Sequence, residues 1–162
     1  MTCLCIQKHY FENALIKAKN VAEYTSFPVI ADDSGLEIEA MNNEPGLHSA
    51  RFASSLGGHD QAIAKILDNL KDKDNRNARF VCDIVLVNVE EKPLLFEGIV
   101  NGTIGYEKQG EAGFGYDPIF ISNETGKCYA LMGQKEKNKS SHRARALIKL
   151  LTYLRLNGFI TK

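Results

Sequence analysis

Two hydrophobic periods alternate along the chain. In Glu12 to Thr25 (ENALIKAKNVAEYT), Ala14, Leu15, Ala18, Val21 and Ala22 share one face at helical spacing, which predicts an amphipathic helix running toward Pro28. Val29 to Ala31 reads as a short buried strand that stops at Asp32-Asp33-Ser34-Gly35, an acidic stretch with the residue types of a tight turn. Leu36, Ile38 and Ala40 then alternate with Glu37 and Glu39, the pattern of a strand with one wet face, and Asn42-Asn43-Glu44-Pro45-Gly46 closes it as a turn. A second helix is predicted from Asp60 to about Leu70 on the shared face of Ala62, Ile63, Ile66, Leu67 and Leu70, followed by the polar loop KDKDNRN. Arg79 to Val89 is almost wholly apolar and β-branched, as expected of a central strand covered on both sides, with Leu94 to Ile104 as its neighbour. Gly110 to Phe120 is rich in glycine and aromatics. Ser141 to Asn157 predicts the last helix, with Ser140 or Ser141 as N-cap and Gly158 as its stop. Helices and strands mix without a repeat, so the expected class is α/β, a single domain with a mixed central β-sheet flanked by helices.

Bulk properties narrow the function classes. A chain of 162 residues suits one domain that buries roughly 70% of the surface its unfolded form exposes. With 20 basic and 20 acidic side chains the formal charge is zero, so no global field argues for nucleic acid or an anionic membrane as a partner, and an anionic ligand must be met locally. Cys3, Cys5, Cys82 and Cys128 lack a metal-ligand spacing and read as reduced thiols. The first ten residues, MTCLCIQKHY, have neither the apolar core nor the cleavage site of a secretory leader, and no stretch approaches the roughly 18 apolar residues of a membrane helix. The expected setting is the cytoplasm.

Three constellations could carry chemistry. Asp32 and Asp33 offer hard oxygens of the kind magnesium takes, one or two carboxylates beside substrate phosphates, although a plain Asx-type turn with Ser34 and Gly35 explains the same residues. In EAGFGYDPIF (Glu111 to Phe120), Gly113 and Gly115 flank Phe114, so backbone can approach a flat ligand while the ring stacks on it, and Asp117 adds an acceptor; a plain sheet corner has the same composition. EKNKSSHRAR (Glu136 to Arg145) places Lys137, Lys139, His142, Arg143 and Arg145 where the last helix opens, which suits a negative or acceptor-rich ligand, against the bland reading of a solvated basic face. Carboxylates for a metal, an aromatic for a base and donors for phosphate or ring oxygens together form the inventory of a nucleotide phosphohydrolase.

The segments FENALIKA (Phe11 to Ala18), ADDSGLEIEA (Ala31 to Ala40), EPGLHSARFA (Glu44 to Ala53), GFGYDPIF (Gly113 to Phe120) and EKNKSSHRARAL (Glu136 to Leu147) resemble, in order and spacing, the inosine triphosphate pyrophosphatase family. The resemblance runs from about Tyr10 to Leu156, which marks residues 11–162 as the family-like domain and residues 1–10 as an atypical segment. It implies an elongated two-lobed architecture and a homodimer. It also implies Mg²⁺-dependent cleavage of ITP, dITP or XTP to the monophosphate and pyrophosphate. The catalytic acid falls on Asp33, which would take a proton from the attacking water, and Asp32 with Asp33 would hold the metal. Ser34 falls on a substrate-contacting position, and the base pocket on Phe114, Gly115, Tyr116 and Asp117, completed by Lys137, His142 and Arg143. Donors from His142 and Arg143 would favour a 6-oxo purine over adenine, which presents an amino group there.

Against that family pattern, the first strand and the loop of serine or threonine, asparagine and lysine that grips the triphosphate have no counterpart. An acidic metal residue would fall near Cys5, and Leu131 stands where the family usually has glutamate. A start codon placed too far downstream, a frameshift and natural degeneration are the open accounts. The corresponding alternative function is a nucleotide-binding homologue that is catalytically impaired.

Overall fold

The structure, a computed structural model, describes residues 3–161, with side chains described from residue 10 onward. Helix α1 spans Cys3–Ala22, beginning well before the predicted Glu12, because CLCIQKHYFENALIKAKNVA contains neither glycine nor proline to break it. Its last turn closes through Glu23 N to Lys19 O at 3.1 Å and Tyr24 N to Val21 O at 3.0 Å.

Strand β1 covers Val29–Ile38 without interruption. The acidic turn expected at Asp32 to Gly35 is therefore absent: the backbone stays extended through both aspartates, and Gly35 is not among the left-handed glycines. The reversal comes later, at Asn42 and Asn43, whose φ values of 55° and 63° lie in the left-handed region that asparagine tolerates. It returns the chain into the short β2 (Glu44–Pro45), antiparallel to β1 with Ile38 opposite Glu44. Two helices follow, α2 (Ser49–Ser55) and α3 (His59–Leu70), and then β3 (Asn77–Val87) and β4 (Leu94–Ile104). After a long loop come β5 (Phe120–Ser122), α4 (Gln134–Ser140) and α5 (His142–Leu156). Ser141 caps α5 by accepting from Ala144 N at 3.2 Å. The basic stretch 136–145 thus straddles two helices, with Lys137 and Lys139 on α4 and only His142 onward on α5.

The five strands form one sheet in the order β2-β1-β3-β4-β5, flanked by helices, so the α/β reading holds; the sheet expected to be mixed pairs antiparallel at both edges, β1 with β2 and β4 with β5. The chain divides into two compact units, the division the resemblance implied. The first comprises residues 1–34, 81–99 and 140–162, and the second residues 35–80 and 100–139.

In the first unit β3 alternates between two helix layers. Val85 and Val87 pack with Val29, Ala14 and Ala18 on the α1 side, while Cys82, Ile84 and Leu86 pack with Ala146 and Leu150 on the α5 side. Both faces are covered, which is why the strand reads as a continuous apolar run. Helix α5 lies so close to β4 that a Cβ on Gly98 would stand 2.0 Å from His142 O and 2.6 Å from Ala146 N. In the second unit Leu36 and Ile38 join Ile63, Ile66 and Leu70 of α3 and the rings of Phe80, Phe120 and Tyr129 in one buried cluster. Arg76 is buried there and donates to the carbonyls of Ile104, Leu70 and Gly105 at 2.8, 2.7 and 2.6 Å, tying the end of α3 to the end of β4.

Candidate functional site

Because neighbours on an extended strand point to opposite faces, the two aspartates of β1 part company. Asp32 turns toward α5, where its Oδ2 accepts from Arg143 Nη2 at 2.8 Å and Nε at 3.3 Å. Asp33 turns toward α1, accepting from Asn13 Nδ2 at 3.2 Å on one oxygen and from Lys17 Nζ at 3.2 Å on the other; Lys17 also donates to the Asp32 carbonyl. The two carboxylates that the resemblance assigned to one metal ion thus lie on opposite faces of the strand. Among the described residues no three His, Cys, Asp or Glu side chains are grouped to hold a metal ion. What remains is Asp33, a carboxylate with 20% of its side chain exposed. That donor set fits magnesium only in its usual nucleotide form, with most of its shell from water and phosphate oxygens. Ser34 follows half-buried in the same strand.

Asp83 on β3 was hidden in the run read as apolar. It is fully buried, on the same side of the strand as Val85. Burial first, then the charge of Glu97 and a proton shared with it, then the charge of Asp33, push its carboxyl up to about 7. On the α5 side of the sheet, burial first and then the Asp32 charge hold the Cys82 thiol up at about 12. Cys82 and Cys128 are free and buried, as expected for thiols, whereas the side chains of Cys3 and Cys5 lie outside the described residues. Arg143 keeps its charge more firmly than usual because the Asp32 bond and charge outweigh its burial. His142, half-buried, is the first residue of α5.

The second unit holds the aromatic loop. Phe114 is 79% exposed, an unusual position for a phenyl ring on a fixed loop. The loop is fixed from below: Asp117, only 5% exposed, accepts the Phe114 N–H at 2.7 Å and the Lys137 Nζ at 2.5 Å through the same Oδ2. Gly113 permits this, since its φ is 95° and a Cβ there would sit 2.5 Å from Asp117 Oδ2. Gly115 follows, and Tyr116 is buried with its hydroxyl donating to Ser49 O at 2.6 Å. Burial alone pushes the Tyr116 phenol up to about 12. Of the eight residues assigned to substrate contact, Phe114, Gly115, Tyr116, Asp117 and Lys137 thus gather in the second unit, whereas Ser34, His142 and Arg143 belong to the first.

The Ham1 family pattern matches residues 5–153. This chain belongs to the Ham1 family. It is 47% identical over 150 residues to a dITP/XTP pyrophosphatase of Dictyoglomus thermophilum, covering 91% of this chain and 73% of that one. With a dITP/XTP pyrophosphatase of Staphylococcus epidermidis it shares 47% over 144 residues, 88% of this chain and 73% of the other. The solved Ham1 protein of Staphylococcus aureus superposes with a TM-score of 0.86 at 39% identity, over 91% of this chain and 77% of that structure. No helix among the described residues is long and apolar enough to cross a membrane.

Proposed function

We propose that this Ham1-family chain is a nucleoside triphosphate pyrophosphohydrolase that removes non-standard purine nucleotides, ITP, dITP or XTP, as the monophosphate and pyrophosphate. The observation that carries the reading is Phe114, a phenyl ring left in solvent on a loop locked by a buried carboxylate and lysine, which is a platform for a planar base.

In this reading Asp33, oriented by Asn13 and Lys17, takes a proton from the water that attacks the α-phosphorus. The α–β anhydride bond breaks and its oxygen leaves with pyrophosphate. Asp33 would hold a magnesium ion, which would supply charge neutralisation at the phosphate oxygens. Asp32 serves instead to hold Arg143. That guanidinium spends its Nε and Nη2 on Asp32, and the family resemblance is what assigns Arg143 and His142 to the oxygen of a 6-oxo purine. Adenine, with an amino group in place of that oxygen, leaves such donors unpaired at a cost of about 1–3 kcal/mol. The homodimer belongs to the proposal on the strength of the family resemblance, and the cytoplasmic setting on the reading of the cysteines as reduced thiols.

The test is product analysis with dITP, XTP and ATP in the presence of Mg²⁺. One pyrophosphate per monophosphate from dITP or XTP, with ATP at least tenfold slower, supports the reading. Release of orthophosphate, or equal rates on ATP, refutes it.

A further inference from the structure

We infer that His59 is the positioning residue that sets the Phe114 ring for stacking on a purine, an inference that rests on the reading of the aromatic loop as the base site. Three observations converge on His59, which lies outside the sequence blocks that pointed to the site. Its ring meets Phe114 at 5.7 Å between centroids, inclined by 54°, and meets Tyr116 edge-on at 5.4 Å and 74°. A Cβ on Gly115, the residue between those two rings, would lie 3.5 Å from His59 Nε2, so the imidazole covers the backbone joining them. Finally, the residue is itself anchored. It is the first residue of α3, behind Gly58, whose carbonyl accepts from Ala62 N at 3.1 Å, and its neighbour Asp60 binds Lys108 Nζ at 2.8 Å.

The geometry divides the work on the loop. Asp117 holds the main chain of Phe114, Ser49 holds Tyr116 through its hydroxyl, and His59 fills the angle between the two rings. A phenyl group that is 79% exposed has little else to select its rotamer, and a ring free to turn presents a stacking face only part of the time. An aromatic neighbour at this distance biases the ring toward one orientation before ligand arrives, which strengthens binding by lowering the ordering cost.

The test titrates IMP, which has the base, and inorganic triphosphate, which does not, into the wild-type protein, His59→Ala and His59→Phe by calorimetry. The expected result is IMP affinity about three- to tenfold weaker in His59→Ala, restored in His59→Phe, with triphosphate affinity the same in all three. In turnover, KM for dITP rises by the same factor while kcat stays constant. Should His59→Ala not fold, His59→Leu supplies the bulk without the planar face and carries the same expected loss. Equal IMP affinity in wild type and His59→Ala, or IMP and triphosphate weakened alike, overturns the role of His59 while leaving the base site in place. A wild-type protein that binds triphosphate but not IMP overturns both.

Discussion

Asp32 and Asp33 differ in what each holds, so their substitutions should fail differently. Asp33→Asn keeps the shape and loses the proton acceptor, and pyrophosphate release from dITP should fall by about 10²–10⁴-fold with the melting temperature nearly unchanged. Asp32→Asn should leave kcat within a few-fold and raise KM for dITP, since it loosens Arg143. Steady-state kinetics on the two variants separates the roles. The exposed Asp32–Arg143 pair, with 42% and 58% of its side chains open, adds little stability.

Asp83 makes a pH prediction. Its folded-state value of about 7 lies above the ordinary 3.8, so the folded protein holds this proton more tightly than the unfolded chain does. Stability is therefore fullest below about 3.8 for this group and is lost as the pH rises through about 7. Asp83→Asn removes that dependence. The variant should gain melting temperature over wild type at pH 8, with a smaller difference at pH 5; a constant difference across that range would contradict the assignment.

At the scale of elements, the contact of α5 with β4 leaves no room at position 98. Gly98→Ala would push a methyl group into the helix backbone at His142 and Ala146, and rigid main chain cannot yield as a side-chain tip can. The expected loss is about 1–3 kcal/mol or more, read as a lower urea midpoint with unchanged slope. Elements with a strong period are legible in the sequence: α3, β4 and α5 lie within a residue or two of their predicted ends. What the sequence concealed has physical causes. Asp-Asp-Ser-Gly has turn chemistry, yet pairing within the sheet keeps it extended, because local propensity yields to tertiary context. Asp83 was lost in an apolar run because one acid hardly disturbs a strand buried on both faces. The aromatic loop, by contrast, was readable residue by residue, since glycine, phenylalanine and aspartate each have a local task there. His59 carried no such signal, because its partners are 55 and more positions away.

For the molecule as a whole, the donor set predicts how metal and ligand combine. Asp33 alone is a poor magnesium site, so MgCl₂ by itself should not raise the melting temperature. Pyrophosphate or IMP with Mg²⁺ should raise it, by mass action on the folded state. A thermal-shift series with each component alone and combined checks this; stabilisation by magnesium alone would demand a protein cage that the described residues lack. The straightness of β1 has one more result, concerning redundancy. Two like residues side by side invite the thought that one insures the other, but here the main chain assigns them to different layers. Loss of either cannot be made good by its twin, and the insertion or deletion of a single residue just ahead of them, with the pairing kept on the N-terminal side of the change, would exchange their faces and leave both misplaced.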